Sequence, residues 1–337
     1  MGNKIKYSII LPVHNGGEYV KECIQSILAQ TYSDFNLHVL ENKSTDGTTE
    51  WLDTIIDKRV IIISSDKLLS IEENWNRIKT IEKNEFITII GHDDILYHNY
   101  LETMDELINK HPQASIYQTH FNFIDKNGNV IAKGKPMDEV QSGAEFLSQF
   151  LNNTIDIIGS GFMYRASDYN SLGGFPDYPN LLFADFEIYI NLALKNYKAT
   201  SFKECFAFRL HQSMTSRSSD AKFQEAFKRF IYFLNSVKKE STTFKEVVER
   251  YAEIYIKFYS KGLSHKLLRT PKSARKNISV KSFLNDCKNY TDLLVPNNNF
   301  NPTNNYSVKM AQIIDGNFLT RGLFLLFKKI YSKPILE

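Results

Sequence analysis

Hydrophobic positions along the first part of this chain switch repeatedly between two periods. Tyr7–Val13 is an almost unbroken apolar run, the mark of a strand buried on both faces, and it leads into His14-Asn15-Gly16-Gly17. Tyr19, Val20, Cys23, Ile24, Ile27 and Leu28 then recur at helical spacing. Residues 35–40 form a second strand, closing on Glu41-Asn42-Lys43-Ser44-Thr45-Asp46-Gly47-Thr48. Trp51, Leu52, Ile55 and Ile56 fit a second helix, and Val60–Ser64 a short third strand. The spacing predicts a helix over 70–81, with Trp75 turned inward beside Ile71 and Ile78. Residues 86–90 are a fourth strand, running through Gly91 and His92 into Asp93 and Asp94. A β-α-β-α-β-α-β order implies an α/β domain, its mostly parallel sheet flanked by helices on right-handed crossovers.

The alternation stops near residue 220. The expected organisation is an α/β domain over 1–220 and a mainly helical region over 221–337. Residues 221–263 read as helices rich in Phe, Tyr and Lys, and 296–305 as a loop from its Asn and Pro. Residues 254–285 hold eight Lys or Arg and no Asp or Glu. The segment 318–331 sets Phe318, Leu319, Leu323, Phe324, Leu326, Phe327 and Ile330 near Arg321, Lys328 and Lys329. This pattern fits an interfacial helix on an anionic membrane, or a terminal helix docked by its apolar face.

Bulk properties narrow the picture only slightly. A net charge of +3 on 337 residues argues against bulk nucleic-acid binding. Three distant cysteines, Cys23, Cys205 and Cys287, suit a reducing compartment and no disulfide framework. No apolar run reaches spanning length, and the residues before the first strand show no secretory h-region. The expected location is the cytoplasm, with the inner face of the cell membrane as the place of any peripheral contact.

Asp93 and Asp94 carry the clearest chemistry. In an open α/β sheet, ligands collect outside the carboxyl ends of the strands. Two adjacent carboxylates there repel each other and need a countercharge, most simply a divalent cation with oxygen ligands. Taken alone, the pair fits a solvated turn or a helix start equally well. Asn15 and Glu41-Asn42 close two other strands with polar turns, and this convergence favours a ligand site.

The order Pro12-Val13-His14-Asn15, then Glu41-Asn42-Lys43-Ser44-Thr45-Asp46-Gly47-Thr48, then Trp75-Asn76-Arg77, then Asp93-Asp94-Ile95-Leu96 resembles a family 2 glycosyltransferase of the GT-A fold, a Rossmann-like sheet. Ile158-Gly159-Ser160-Gly161-Phe162-Met163-Tyr164-Arg165, Gly173-Gly174-Phe175, Asp185-Phe186-Glu187 and Phe208-Arg209-Leu210-His211 continue the family's order. The resemblance covers roughly residues 5–220. One departure is plain: the family usually has Asp-Asp-Gly-Ser where this chain has Glu41-Asn42-Lys43-Ser44.

The resemblance implies Asp94 and His211 as ligands of Mn²⁺ or Mg²⁺, and Asp93 at the ribose or the metal's waters. Pro12, Val13, Asn15 and Glu41 would surround the nucleotide, with Asp66 and Arg77 as further candidates for nucleobase or phosphate contact. Arg209 and Arg217 would close over the diphosphate. Gly159, Ser160 and Gly161 would let backbone approach a sugar. Asp185 would be the general base, with Ala184 replacing the first acid of the family's pair and Glu187 as the rival carboxylate. The expected activity is inverting, metal-dependent transfer of a sugar from a nucleoside-diphosphate donor, UDP favoured, to a hydroxyl of a glycan or lipid-linked glycan acceptor. Bacterial surface polysaccharide synthesis is the expected setting. The alternative is a catalytically idle GT-A protein that binds a glycan or a membrane-surface partner, kept open by Ala184 and Asn42. A nucleotidyltransferase is disfavoured, because the loop over 14–18 has no Arg nearby.

Overall fold

The computed structural model describes residues 6–210 and 218–331. The chain divides into two compact units. Unit one runs over Met1–Phe146, Ile155–Asp177 and Ala184–His211, and unit two over Leu147–Thr154, Tyr178–Phe183 and Gln212–Glu337.

Unit one is built on a single sheet. Its first strands are β1 (Tyr7–Val13), β2 (Phe35–Glu41), β3 (Val60–Ser64) and β4 (Phe86–Ile89), lying side by side as β3-β2-β1-β4, all parallel. The crossovers are α1 (Gly17–Leu28), α2 (Thr48–Leu52) and α3 (Ile71–Asn76). Every residue of β1 is buried, as its apolar run requires. Val20, Cys23, Ile24 and Ile27 of α1 face the sheet, on the predicted stripe. Register pairs Val13 with Glu41 and Glu41 with Ser64, so three strands end at one level. That level is where the candidate residues gather.

Beyond β4 the sheet departs from the mostly parallel expectation. It continues through β5 (Ile95–Leu96), β6 (Ile116–Ile124), β7 (Val130–Lys133), β8 (Val140–Ser142), β9 (Phe162–Arg165) and β10 (Tyr197–Arg209). The spatial order is β4-β9-β6-β10-β5, with β7 on β6 and β8 on β10. Only β6 and β10 are parallel there; β9 runs against both β4 and β6. The sheet is therefore mixed. Helices α4 (Tyr100–Lys110), α5 (Gly143–Leu151), α6 (Ala166–Ser171) and α7 (Ala184–Lys195) complete this part of the chain, the division between units falling within α5.

Three helix boundaries differ from the periodicity. Helix α2 ends at Leu52, short of the expected Ile55 and Ile56, of which Ile56 is exposed. The helix expected over 70–81 starts on a Ser70–Glu73 capping box but ends at Asn76, followed by one 3₁₀ turn, Arg77–Lys79. Lys83 Nζ takes the Ile78 and Ile81 carbonyls, each at 2.8 Å, which closes the turn. Trp75 is half-buried and meets Phe175 edge-on at 5.0 Å. The helix expected near Leu182 begins at Ala184, because Leu181 and Phe183 hold φ of +57° and +69°.

Unit two is helical: α8 (Asp220–Val237), α9 (Thr242–Arg269), α10 (Val280–Leu294), α11 (Tyr306–Gly316) and α12 (Phe318–Ile330). Each opens on a Ser or Asn whose side chain accepts a backbone amide of the first turn: Ser219, Ser241, Ser279, Asn305 and Asn317. The Asn-rich loop thus supplies a helix cap as well as turns. Phe183, Phe227, Phe230, Tyr255 and Tyr259 pack ring against ring in its core. No residue of α12 is buried.

Candidate active site at the carboxyl ends of the strands

The loops after β1 and β2 are stitched to each other. Asn15, at φ +51°, donates its amide to Ser44 Oγ at 2.9 Å and accepts the Thr45 amide on Oδ1 at 2.8 Å. Gly17 donates to Asp46 Oδ2 at 2.9 Å. His14 Nδ1 lies 2.8 Å from the Asn42 carbonyl, an acceptor, so Nδ1 carries the proton. Pro12 and Val13 are buried at the end of β1, and the Val13 carbonyl accepts the Asn42 amide at 3.0 Å.

Glu41 and Asn42 are 1% and 2% exposed. Glu41 Oε1 accepts the Ser44 amide at 2.7 Å and the Thr49 hydroxyl at 3.0 Å. Burial works to raise its proton affinity, but these donors win and hold the carboxyl below the usual range. Asn42 Oδ1 accepts the Leu69 amide and its Nδ2 donates to the Leu69 carbonyl, at 2.8 and 3.0 Å. Arg77 ties the neighbouring strands, Nη1 donating to the Glu41 carbonyl at 2.9 Å and Nη2 to the Ile63 carbonyl. Glu41 and Arg77 thus first serve the crevice wall. Asp66 is exposed beside it.

Asp94 is 2% exposed and doubly engaged: Oδ2 accepts the Ser160 hydroxyl, and Oδ1 accepts the Arg209 amide at 3.0 Å. Asp93 is half-buried. A Cβ at Gly91 would sit 2.7 Å from Asp93 Oδ1 and 3.3 Å from Asp94 Oδ2, so both carboxylates crowd one point and leave room only for glycine. Burial, then the Asp93 charge, pushes the Asp94 carboxyl well above its ordinary range.

Arg209 corrects the sequence reading. It was expected to face a diphosphate, yet it is 2% exposed and its guanidinium is consumed inside the protein. Nε donates to the Asp93 carbonyl at 2.7 Å, Nη1 to the Asp125 and Lys126 carbonyls at 3.2 Å, and Nη2 to Glu22 at 2.6 Å. The guanidinium also lies over the Tyr19 ring at 4.5 Å. Its work is to hold the Asp93-Asp94 turn. His211 and Arg217 lie outside the described residues.

Asp185 stands in the first turn of α7, half-buried, with Oδ1 accepting the Phe186 amide at 3.0 Å. Its Oδ2 would lie 3.2 Å from a Cβ at Gly159. Gly159 adjoins Ser160, which holds Asp94, so one short turn touches both carboxylates. Tyr189, four residues on along α7, donates to the Gly159 carbonyl at 3.1 Å and stacks on Phe162 at 4.0 Å. The i, i+4 spacing of Asp185 and Tyr189 was the available signal for this second contact, which sequence reasoning missed along with Glu22. Gly161 has φ +80°, and a Cβ there would strike the Phe206 ring at 2.9 Å. Burial pushes the Asp185 carboxyl up to about 6 against the Phe186 amide.

Among the described residues no group of three or more His, Cys, Asp or Glu could hold a metal. The Asp93-Asp94 pair nevertheless fits one hard cation: the donors are carboxylate oxygens, and each Asp94 oxygen keeps a lone pair. Mg²⁺ commonly uses one or two carboxylates and completes its shell with water and phosphate.

Residues 8–173 match the family described as glycosyl transferase family 2. Over these residues the chain is similar to that family. Glycosyltransferase GlyG of Streptococcus pneumoniae serotype 4 is 28% identical over 124 residues, 36% of this chain and 41% of that one. An uncharacterized glycosyltransferase of Rickettsia conorii is 34% identical over 139 residues, 38% of this chain and 22% of that one. The matches thus span less than half the length of these relatives. S. aureus TarS 1–349, solved in complex with UDP-GlcNAc, superposes with a TM-score of 0.69 over 97% of this chain and 93% of that one, at 15% identity. Mannosyltransferase PcManGT from Pyrobaculum calidifontis, in complex with GDP-Man and Mn²⁺, gives 0.51 over 97% and 89%, at 13% identity. At these identities the likeness establishes the fold, which is the GT-A architecture the sequence pattern implied.

Two outcomes follow from this geometry. Arg209→Met should lower stability by about 3–5 kcal/mol, the usual loss when one member of a buried charge network is removed, as read by urea denaturation. A loss close to zero would show that the guanidinium is not held as described. Asp185 has its folded proton affinity raised, so wild type loses stability as pH climbs from the unfolded carboxyl value through about 6. Asp185→Asn should therefore melt higher than wild type at pH 7.5, with the gap closing near pH 4. An equal gap at both pH values would contradict the burial of that charge.

Proposed function

We propose that this protein is an inverting, metal-dependent glycosyltransferase that moves a sugar from a nucleoside-diphosphate donor, UDP favoured, to a hydroxyl of a glycan or lipid-linked glycan in bacterial surface polysaccharide synthesis. The observation that carries the reading is the approach of Asp94 and Asp185 to the two residues of one turn, Ser160 and Gly159. UDP-GlcNAc in TarS, and GDP-Man with Mn²⁺ in PcManGT, support a nucleotide-sugar donor and a cation by analogy of fold.

Each residue then has a task. The loops pinned by Asn15, Glu41 and Asn42 form the nucleotide crevice. Asp93 and Asp94 would hold Mn²⁺ or Mg²⁺, which when bound offsets the negative charge growing on the leaving diphosphate. Asp185 removes the proton from the acceptor hydroxyl as that oxygen bonds to the anomeric carbon and the bond to the diphosphate breaks. One base and one leaving group on opposite sides of the sugar give inversion. A carboxyl near 6 is largely ionised at neutral pH yet basic enough to accept a proton. The idle alternative rested on Ala184 and Asn42. Ala184 is fully buried, so an acid there would enter the core, and Asn42 has a backbone-bridging job that Asn performs well.

Asp185→Asn should cut turnover by about 10²–10⁴ while leaving UDP binding nearly intact, and Glu187→Gln should do much less. Wild-type turnover should fall with unit slope as pH drops below about 6. Asp94→Asn should lose both turnover and Mn²⁺-dependent UDP binding by calorimetry. If Glu187→Gln is the crippled variant, the base is Glu187; if Asp94→Asn binds and turns over normally, the metal role is lost.

We further infer peripheral contact with an anionic membrane through α12. Among the described residues no helix is long and apolar enough to cross a bilayer. Phe318, Leu319, Leu323, Leu326, Phe327 and Ile330 of α12 are between 52% and 83% exposed, which does not fit a helix docked by its apolar face. Binding to anionic vesicles should therefore occur at low salt, weaken sharply as salt rises, and fall on truncation after Asn317 without a change in UDP affinity. Indifference of the full chain to such vesicles would remove the inference.

A further inference from the structure

We propose that unit two carries a phosphate-binding site in the cleft between the turn joining α9 to α10 and helix α11, independent of the transfer reaction. The cleft has a volume of about 730 Å³. Its walls bring together Lys272, Arg275, Lys281 and Lys309, with Asp315 as the one acidic residue among them. These cations come largely from the acid-free stretch over 254–285, to which the transferase reading gives no task.

Asp315 does not neutralise them. It is 5% exposed, its Oδ1 accepting Arg275 Nη1 at 2.7 Å and its Oδ2 the Val280 amide at 2.9 Å. Arg321 Nε approaches the same carboxylate at 3.6 Å, so two guanidiniums share one anion. Arg275 is 1% exposed; its Nε donates to the Thr270 carbonyl at 2.8 Å, and its Nη2 has no hydrogen-bond partner among the described residues. A buried guanidinium N–H without an acceptor is unfavourable, and an oxyanion beside it removes the deficit.

The start of α10 adds to the imbalance. A helix N-terminus carries partial positive charge and favours acidic residues. The first turn of α10 has none, and Lys281 stands in it instead. Asp315 and the Ser279 cap already serve the helix end, so an anion at this point would satisfy the lysines and Arg275 Nη2 together. A phosphate monoester matches best, because it approaches a double charge near neutral pH and offers three acceptor oxygens; a diester matches with one charge fewer. Ser279, Thr303 and Gln312 on the same walls can hydrogen-bond to whatever bears the phosphate.

Two sources of that chemistry are separable. One is a soluble phosphate or phosphate ester, the other a lipid headgroup. The second gains from Arg321 of α12, whose Nη2 donates to the Thr270 carbonyl at 2.6 Å and so ties the exposed apolar helix beside Arg275. Full-length protein and the Lys281→Gln/Lys309→Gln variant are titrated with inorganic phosphate at constant ionic strength. They are then tested on phosphatidylcholine vesicles with and without phosphatidic acid. Both substituted lysines are exposed, so the variant should fold. Saturable phosphate binding weakened about tenfold or more in the variant, the effect of losing charged hydrogen-bond partners, supports the site with a soluble ligand. Binding only to phosphatidic acid vesicles, weakened likewise in the variant, supports it with a headgroup. Wild-type affinity in the variant for both probes, or no binding of either by the full-length protein, overturns it.

Discussion

A guanidinium placed out of reach of water is tolerated only where its donors meet acceptors, and Arg209 sets that condition for the whole carboxyl edge of the sheet. It closes β10, and its own amide holds Asp94. Its side chain takes the Asp93 carbonyl, the turn after β6 at Asp125 and Lys126, and Glu22 on α1, with Tyr19 against its plane. Four separate stretches of chain are therefore fixed relative to one another by one group. The parallel strands could end at the same level without it. The acidic turn after β4 could not hold a set orientation, because backbone polar groups at a strand end need specific partners to stay in place.

What that network holds is an electrostatic contrast between two carboxylates. Asp94 and Asp185 are both made reluctant to ionise by burial, but their neighbours differ. Asp94 has the Asp93 charge against it, so a cation relieves it. Among the described residues Asp185 accepts local backbone amides, so a proton relieves it. Environments that separate two acids in this way assign them different work. Under the proposed function, Asp94 takes the metal and Asp185 the acceptor proton. The Gly159-Ser160 turn keeps them apart while touching both, and Tyr189 fixes that turn to the helix bearing Asp185.

The parallel half of the sheet was legible because β1, β2 and β4 are buried on both faces and read as apolar runs. The antiparallel half was not, and β10 shows why. Its sequence, Tyr-Lys-Ala-Thr-Ser-Phe-Lys-Glu-Cys-Phe-Ala-Phe-Arg, looks too polar for a central strand. Lys198 is nevertheless fully buried, its amine donating to Gln141 Oε1 at 2.8 Å and to Thr200, and burial pushes it down to about 7. Such satisfied polar groups are invisible to hydropathy. The candidate acids were found from motif order, and the structure brings Asp93, Asp94, Gly159, Ser160 and Asp185 together. Arg209 was misread because residue type announces a charge but not the direction in which the side chain carries it.

The departure after β2 is instructive in the same terms. Where the resembled family usually has glycine, this chain has Lys43, and Lys43 keeps φ at +51°. A non-glycine residue in that region costs about 1 kcal/mol, so something nearby must impose the turn. Glu41 does so by folding its longer side chain back onto the Ser44 amide and the Thr49 hydroxyl. Asn42 does so from the other side, bridging both backbone groups of Leu69. The glycine's freedom has been exchanged for side-chain restraint, and the loop retains the path that meets Asn15. Changed letters here mean a different way of holding one backbone, and they do not by themselves argue for a dismantled site.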